Sequence, residues 1–246
     1  MQMITLLYPA FILAILLVFV HAIFGLEIIK RGVIFTDLAI GQFAAVGVAV
    51  SLLLFEGHYI FLLTFLFALI GALLITLATY RVRHIEAFIG MLYALGASSI
   101  MILLANTGQG TELFSKLQAT DILFTSASDL REPLVLYSAV ALLFFLFHQR
   151  LTGFYREALF FGLLALTVTS SVQLAGILVV FVLLIVPAFV ALLQARFSKL
   201  PFAWVLGSMI IIAAMVVSYY FDLPTGYTIV FIASLAGVSS ALLFKG

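Results

Sequence analysis

From Leu159 to Ala195 the chain runs for 37 residues without a charged side chain. A single helix of that length would be about 55 Å long, while the hydrocarbon core of a bilayer is about 30 Å thick. The run therefore has to enter a membrane and fold back, and Gly176, in SVQLAG, is the natural place for the break. The rest of the chain is of the same kind. Of its 246 residues, 66% are apolar and 9% are charged, against roughly 45–50% and 25% in a soluble domain. So few polar groups cannot cover a water-facing surface, which excludes soluble enzymes and nucleic-acid binders. The net charge of +1 points to no acidic or basic partner.

Hydropathy places spans near residues 4–25, 33–55, 60–79, 88–106, 134–149, 159–174, 176–195, 202–221 and 227–244. The expected fold class is all-α, a polytopic transmembrane helical bundle of eight to nine spans forming a single domain over residues 1–246. At about 20 residues per span little is left for loops. Such a chain has no room for a nucleotide-hydrolysing domain, and no GxxxxGK[ST] phosphate loop occurs in it. Cysteine is absent, which removes disulfides, thiolate metal sites and cysteine nucleophiles. The first residues, MQMITLLYPAFILAILLVFV, lack a basic start and a small-residue cleavage site and read as the first span.

The basic residues set an orientation. With the N-terminus outside, Lys30, Arg31, Arg81, Arg83, Arg150, Arg156, Arg196, Lys199 and Lys245 fall on the cytoplasmic side, and only Lys116 and Arg131 fall outside. Glu56, Glu112, Asp121, Asp129, Glu132 and Asp222 then make the outer face modestly negative. That suits a cation or a basic partner surface, although it also follows simply from placing the bases inside. The longest loop, between the fourth and fifth spans, contains the short apolar run DILFTSA. It fits either a half-helix buried in protein or an interfacial helix.

Polar residues inside apolar spans are expensive and mark a pathway or a buried pair. The second span holds two, Asp37 about one turn from its cytoplasmic end and Gln42 near the midplane, with Gly41 and Gly47 beside them. Residues five apart do not stack on one helix face, so the two are not an obvious chelating pair. Asp37 can pair with Lys30, Arg31 or His21, or line a path. Gln42 can join helices or contact cargo. A buried His21 is ordinarily a hydrogen-bonded structural residue, and Gln173 can satisfy free backbone groups at the fold-back. Tyr219 and Tyr220 fit interfacial anchors. No HExxH, GxSxG or close midplane pair of carboxylates appears, so no catalytic constellation is expected and the chain reads as no enzyme.

The segments SVQLAGILVVFVLLIVPAFVALLQARF and VVSYYFDLPTGYTIVFIASLAGV resemble the membrane permeases of zinc, manganese and iron ABC importers. The resemblance runs through Gly176, Leu178, Leu183, Leu184, Pro187, Ala188, Ala191, Ser218, Tyr219, Leu223, Pro224, Thr225 and Gly226. Glu86, Ala87, Ile89 and Gly90 extend it, as do Asp121, Ile122, Leu123, Ser126, Asp129 and Leu130. KRGVIFTDLAIGQFAAVG, from Lys30 to Gly47, is similar to one branch of that family.

The resemblance implies a fold like the metal and vitamin B12 importers. It implies a homodimer with a central path, cytoplasmic ABC ATPase subunits that hydrolyse ATP, and an extracytoplasmic metal-binding protein. No cofactor would be bound in this chain, and the cargo would be a divalent cation. The protein would sit in a bacterial cytoplasmic membrane, in contact with lipid and with no nucleic acid. Asp37 and Gln42 would lie in the metal path, Arg156 and Glu157 in the element that couples to the ATPase, and Asp121 and Asp222 near the outer mouth.

Two departures bear on this. Gln42 stands where another branch of the family carries a histidine. The coupling element is reduced to RLTGFYREA, about a dozen residues shorter than in the family. The shortening leaves room for an ATPase-independent transporter or channel, or for a membrane partner that transports nothing.

Overall fold

The computed structural model describes residues 2–105 and 122–243. Among them there is no strand. Nine α-helices are described, in the order of the nine expected spans: α1 (Gln2–Arg31), α2 (Thr36–Phe55), α3 (Ile60–Arg81), α4 (Ile85–Leu104), α5 (Arg131–Phe147), α6 (Gly153–Ala175), α7 (Ile177–Leu193), α8 (Lys199–Phe221) and α9 (Thr225–Leu243). Among the described residues eight stretches are long and apolar enough to cross a bilayer, and α7 is a shorter apolar helix. The chain is a multi-pass membrane protein. Helices are the expected solution, because hydrocarbon offers backbone N–H and C=O groups no partner outside the segment itself.

The break at Gly176 is where the uncharged run placed it. Gly176 has φ +86 and separates α6 from α7. Gln173 does not serve that break. Its side chain is exposed and makes no hydrogen bond among the described residues; glycine relieves the turn by its own backbone freedom. The fifth and sixth spans are longer than hydropathy suggested. A 3₁₀ turn at Ala127–Leu130 leads directly into α5, giving a 21-residue span Ala127–Phe147, and α6 begins at Gly153. The described part of DILFTSA forms neither a half-helix nor an interfacial α-helix. Ile122–Phe124 is a 3₁₀ turn packed on α1 and α9. Ser126 and Asp129 then form a reciprocal capping box that starts the next turn.

The chain divides into two compact units. One comprises residues 1–31, 119–138 and 174–246. In it α7 packs against α1, α8 and α9. Three glycines make room for it. A Cβ on Gly25 would collide with the Leu184 carbonyl, one on Gly207 would stand 3.0 Å from Pro187 Cγ, and one on Gly237 would stand 3.3 Å from Val186 Cγ1. Small residues of this kind let helix backbones approach where no hydrophobic force drives helices together. Trp204 stacks on Phe19 at 5.0 Å and donates its indole N–H to the Phe19 carbonyl at 2.9 Å. At the α8–α9 turn Ser218 donates to the Leu223 carbonyl at 2.7 Å and lies 2.8 Å from the Thr225 hydroxyl.

The other unit comprises residues 32–118 and 139–173. Its α2 packs against both α3 and α4. The apolar window of α2 is 72% buried, against 33% for α3 and 28% for α4. That difference makes α2 the inner helix and leaves the outer faces of α3 and α4, such as Leu62, Leu73, Met91 and Ile102, exposed. The α2–α3 turn uses left-handed residues Glu56, Gly57 and Tyr59, and the Ser51 hydroxyl donates to the His58 carbonyl at 2.7 Å.

Candidate functional site

The inner helix α2 carries both polar residues singled out from the sequence. Its first turn is preceded by a tight bend in which the Thr36 hydroxyl donates to the Val33 carbonyl at 2.7 Å. Asp37 sits in that first turn, 2% exposed, and Gln42 sits further along, 1% exposed. Both carboxylate oxygens of Asp37 and both terminal atoms of Gln42 are buried without a hydrogen-bond partner among the described residues. Lys30 and Arg31 both reach Glu27 on their own helix, at 3.3 and 3.8 Å. His21 Nδ1 lies 2.7 Å from the Leu17 carbonyl, the structural bond expected of it.

Buried polar groups are nearly always paired, and an unpaired one costs about 1–3 kcal/mol, more when charged. The positive end of the α2 dipole offsets part of this at Asp37. Nothing comparable acts at Gln42. Two such groups on the most buried helix of the unit are what a polar cargo would use. They do not form one chelate. Five residues separate them by about 7.5 Å along the axis and about 140° around it. Among the described residues no group of three or more His, Asp or Glu stands close enough to hold a metal ion. A cargo would meet them in succession.

Helix α2 is closely fitted. A Cβ on Gly96 of α4 would lie 2.7 Å from Gln42 Cβ, and one on Gly47 would lie 2.5 Å from the Leu63 carbonyl oxygen of α3. Glu86, in the first turn of α4, accepts a hydrogen bond from the backbone N–H of Ile34, in the bend just before α2.

Arg156 and Glu157, expected in a loop, stand on the first turns of α6, because the helix starts at Gly153 (φ +55). The connection from α5 is correspondingly tight. Arg156 donates from Nη2 to His148 Nε2 at 3.1 Å. His148 is 6% exposed and stacks on Phe144 at 4.5 Å between ring centroids. Asp222 is exposed and caps α8 in a left-handed conformation, φ 51. Asp121 lies outside the described residues. Sequence reasoning missed both the Glu86–Ile34 tie and the His148–Arg156 bond. The eight-residue spacing of the second pair across a short turn is the one signal that could have found it.

Residues 153–244 match the model of the ABC 3 transport family. The matched stretch is the C-terminal part of the chain. It contains Gly176, Pro187, Pro224 and Gly226, on which the resemblance to metal ABC permeases was read. The whole chain is similar in fold to a chain of the structure described as PsaBC from Streptococcus pneumoniae in complex with Fab. The TM-score is 0.78 at 24% identity, over 96% of this chain and 90% of that one. The expected all-α polytopic bundle is the observed fold class. No curated protein matches the chain.

Proposed function

We propose that the chain is the membrane-spanning subunit of an ABC importer that moves a divalent metal cation into the cytoplasm. It works as a homodimer in a bacterial cytoplasmic membrane, with ATP hydrolysed by separate cytoplasmic subunits and the cation delivered by an extracytoplasmic binding protein. The observation that carries this reading is the pair of buried, unpartnered polar side chains, Asp37 and Gln42, on the most enclosed helix of their unit. The family match of residues 153–244 supplies the transporter class.

Mechanistically, ATP-driven closure of the cytoplasmic subunits exposes α2 alternately to the two sides. Asp37 offers a carboxylate and Gln42 an amide oxygen. An oxygen-only set suits harder cations such as manganese better than zinc. Arg156 and Glu157, on the first turns of α6, face the ATPase on the orientation set by the basic residues.

The test is co-expression with the neighbouring ATPase gene, purification, and ATPase and cation-uptake assays in liposomes. The reading expects a stable complex whose hydrolysis and uptake respond to manganese, iron or zinc. Losing the Asp37 carboxylate or the Gln42 amide should slow uptake roughly tenfold or more, the weight of one charged or buried polar contact. Uptake without any ATPase would favour a gradient-driven transporter, the reading suggested by the tight α5–α6 connection.

A further inference from the structure

The bond between Glu86 and the Ile34 amide joins places 52 residues apart in the chain. Its donor is a backbone N–H in the bend that launches α2, three residues before Asp37. Its acceptor is a carboxylate in the first turn of α4. Helices α2 and α4 are packed together and enter their unit from the same end, since α3 returns the chain between them. A carboxylate there is favoured by the positive end of the α4 dipole, and a bond from a backbone amide to a carboxylate is a strong, charge-assisted one. The other oxygen, Oε2, is buried without a hydrogen-bond partner among the described residues. The side chain is therefore committed to this contact rather than turned to water.

Within the bend, Gly32 lies at φ +66 with open space around it, and the Thr36 amide and hydroxyl both donate to the Val33 carbonyl. Those two bonds close the bend on itself; the bond to Glu86 is the one that reaches α4.

We propose that Glu86 is a positioning residue that clamps the entry of α2 to α4. The two helices then move as one piece, and Asp37 keeps its place as they do. The inference rests on the importer reading for its consequence in transport, but the clamp itself is testable apart from it. The acceptor oxygen and its reach make the clamp, and the negative charge only adds to its strength. Glu86→Gln keeps an oxygen at the same reach. Glu86→Asp keeps the charge but is one methylene too short, and Glu86→Ala removes both.

The first measurement is amide hydrogen exchange of the purified full-length protein, resolved at Ile34. Wild type and Glu86→Gln should protect that amide. Glu86→Ala and Glu86→Asp should release it, with exchange faster by about tenfold or more. The second is cation uptake by the complete complex, with manganese as the probe. Glu86→Gln should run close to wild type, while Glu86→Ala and Glu86→Asp should lose about tenfold in maximal rate with little change in the half-saturating concentration. Unchanged Ile34 exchange in Glu86→Ala would overturn the clamp. So would transport retained by Glu86→Asp and lost by Glu86→Gln, which would make the charge the working part. Absence of uptake by the wild-type complex would overturn the importer reading and leave the exchange result to decide the clamp.

Discussion

Replacing Gly47 by alanine adds one methyl group to the inner helix at the place where it meets α3. The new Cβ would stand 2.5 Å from the Leu63 carbonyl oxygen, 2.7 Å from its carbon and 2.7 Å from Thr64 Cα. Ordinary contact begins at 3.4 Å, so the closest approach is short by about 0.9 Å. All three atoms are backbone, and no rotamer change can clear them. The helices must separate, and overpacking of this kind costs roughly 1–3 kcal/mol. Against this stands a gain of up to about 1 kcal/mol from replacing a helical glycine by alanine. The net expectation is a loss of about 1–2 kcal/mol.

Two other glycines serve as internal standards. At Gly71 the added Cβ would stand 3.3 Å from Phe43 Cβ and Cγ and 3.7 Å from the Ile40 Cα, so Gly71→Ala should cost far less than Gly47→Ala. At Gly90 nothing lies within 4 Å, so Gly90→Ala should be neutral or slightly stabilising. Thermal unfolding of the three variants in one detergent gives the order. A Gly47→Ala protein as stable as Gly90→Ala would refute the argument that backbone contact between α2 and α3 sets the fit.

Three further expectations follow from other contacts. Ser218→Ala should destabilise by about 1–2 kcal/mol, because the Leu223 carbonyl and the Thr225 hydroxyl lose a partner in the α8–α9 turn; thermal unfolding measures it, and no loss would remove that turn from the stabilising contacts. Trp204→Phe should keep the stacking on Phe19 while losing the bond to its carbonyl, lowering stability by about 0.5–1.5 kcal/mol, less than Trp204→Ala; a loss as large as that of Trp204→Ala would show that the stacking contributes nothing. His148→Phe should preserve the stack on Phe144 but leave the Arg156 guanidinium without its acceptor; ATPase stimulation should then fall more than protein stability does, and equal loss of both would make the pair purely structural.

Much of the fold was legible because hydrocarbon enforces a simple rule. An uncharged run longer than the bilayer has to turn, and a glycine was the only inexpensive place for it, so Gly176 could be named in advance. Asp37 and Gln42 were visible for the same reason, since polar groups stand out in an apolar span. What escaped was the chemistry at the ends of helices. Gln173 looked like a cap because its amide could serve as one, yet a positive φ at the next glycine removed the need. Arg156 and Glu157 looked like loop residues because hydropathy falls off before a helix does. The Glu86–Ile34 tie uses a backbone donor, which every residue but proline offers, so no spacing rule could have pointed to Ile34.

The shortness of α7 has a consequence for how the protein is made. Seventeen residues rise about 25 Å, less than the hydrocarbon is thick. Two of the three helices that close around it, α8 and α9, are synthesised after it. As the ribosome delivers α7, the surfaces that will receive Gly207 and Gly237 are bare, and a helix a few ångströms shorter than the hydrocarbon carries a mismatch cost of a fraction of a kcal/mol per ångström. Of its three glycine seats, the notch at Gly25 of α1 is the one already in place before those neighbours arrive. Biogenesis of the C-terminal third is thus ordered by sequence, and a chain interrupted soon after Ala195 would present the cell's quality control with an orphaned helix rather than a smaller stable bundle.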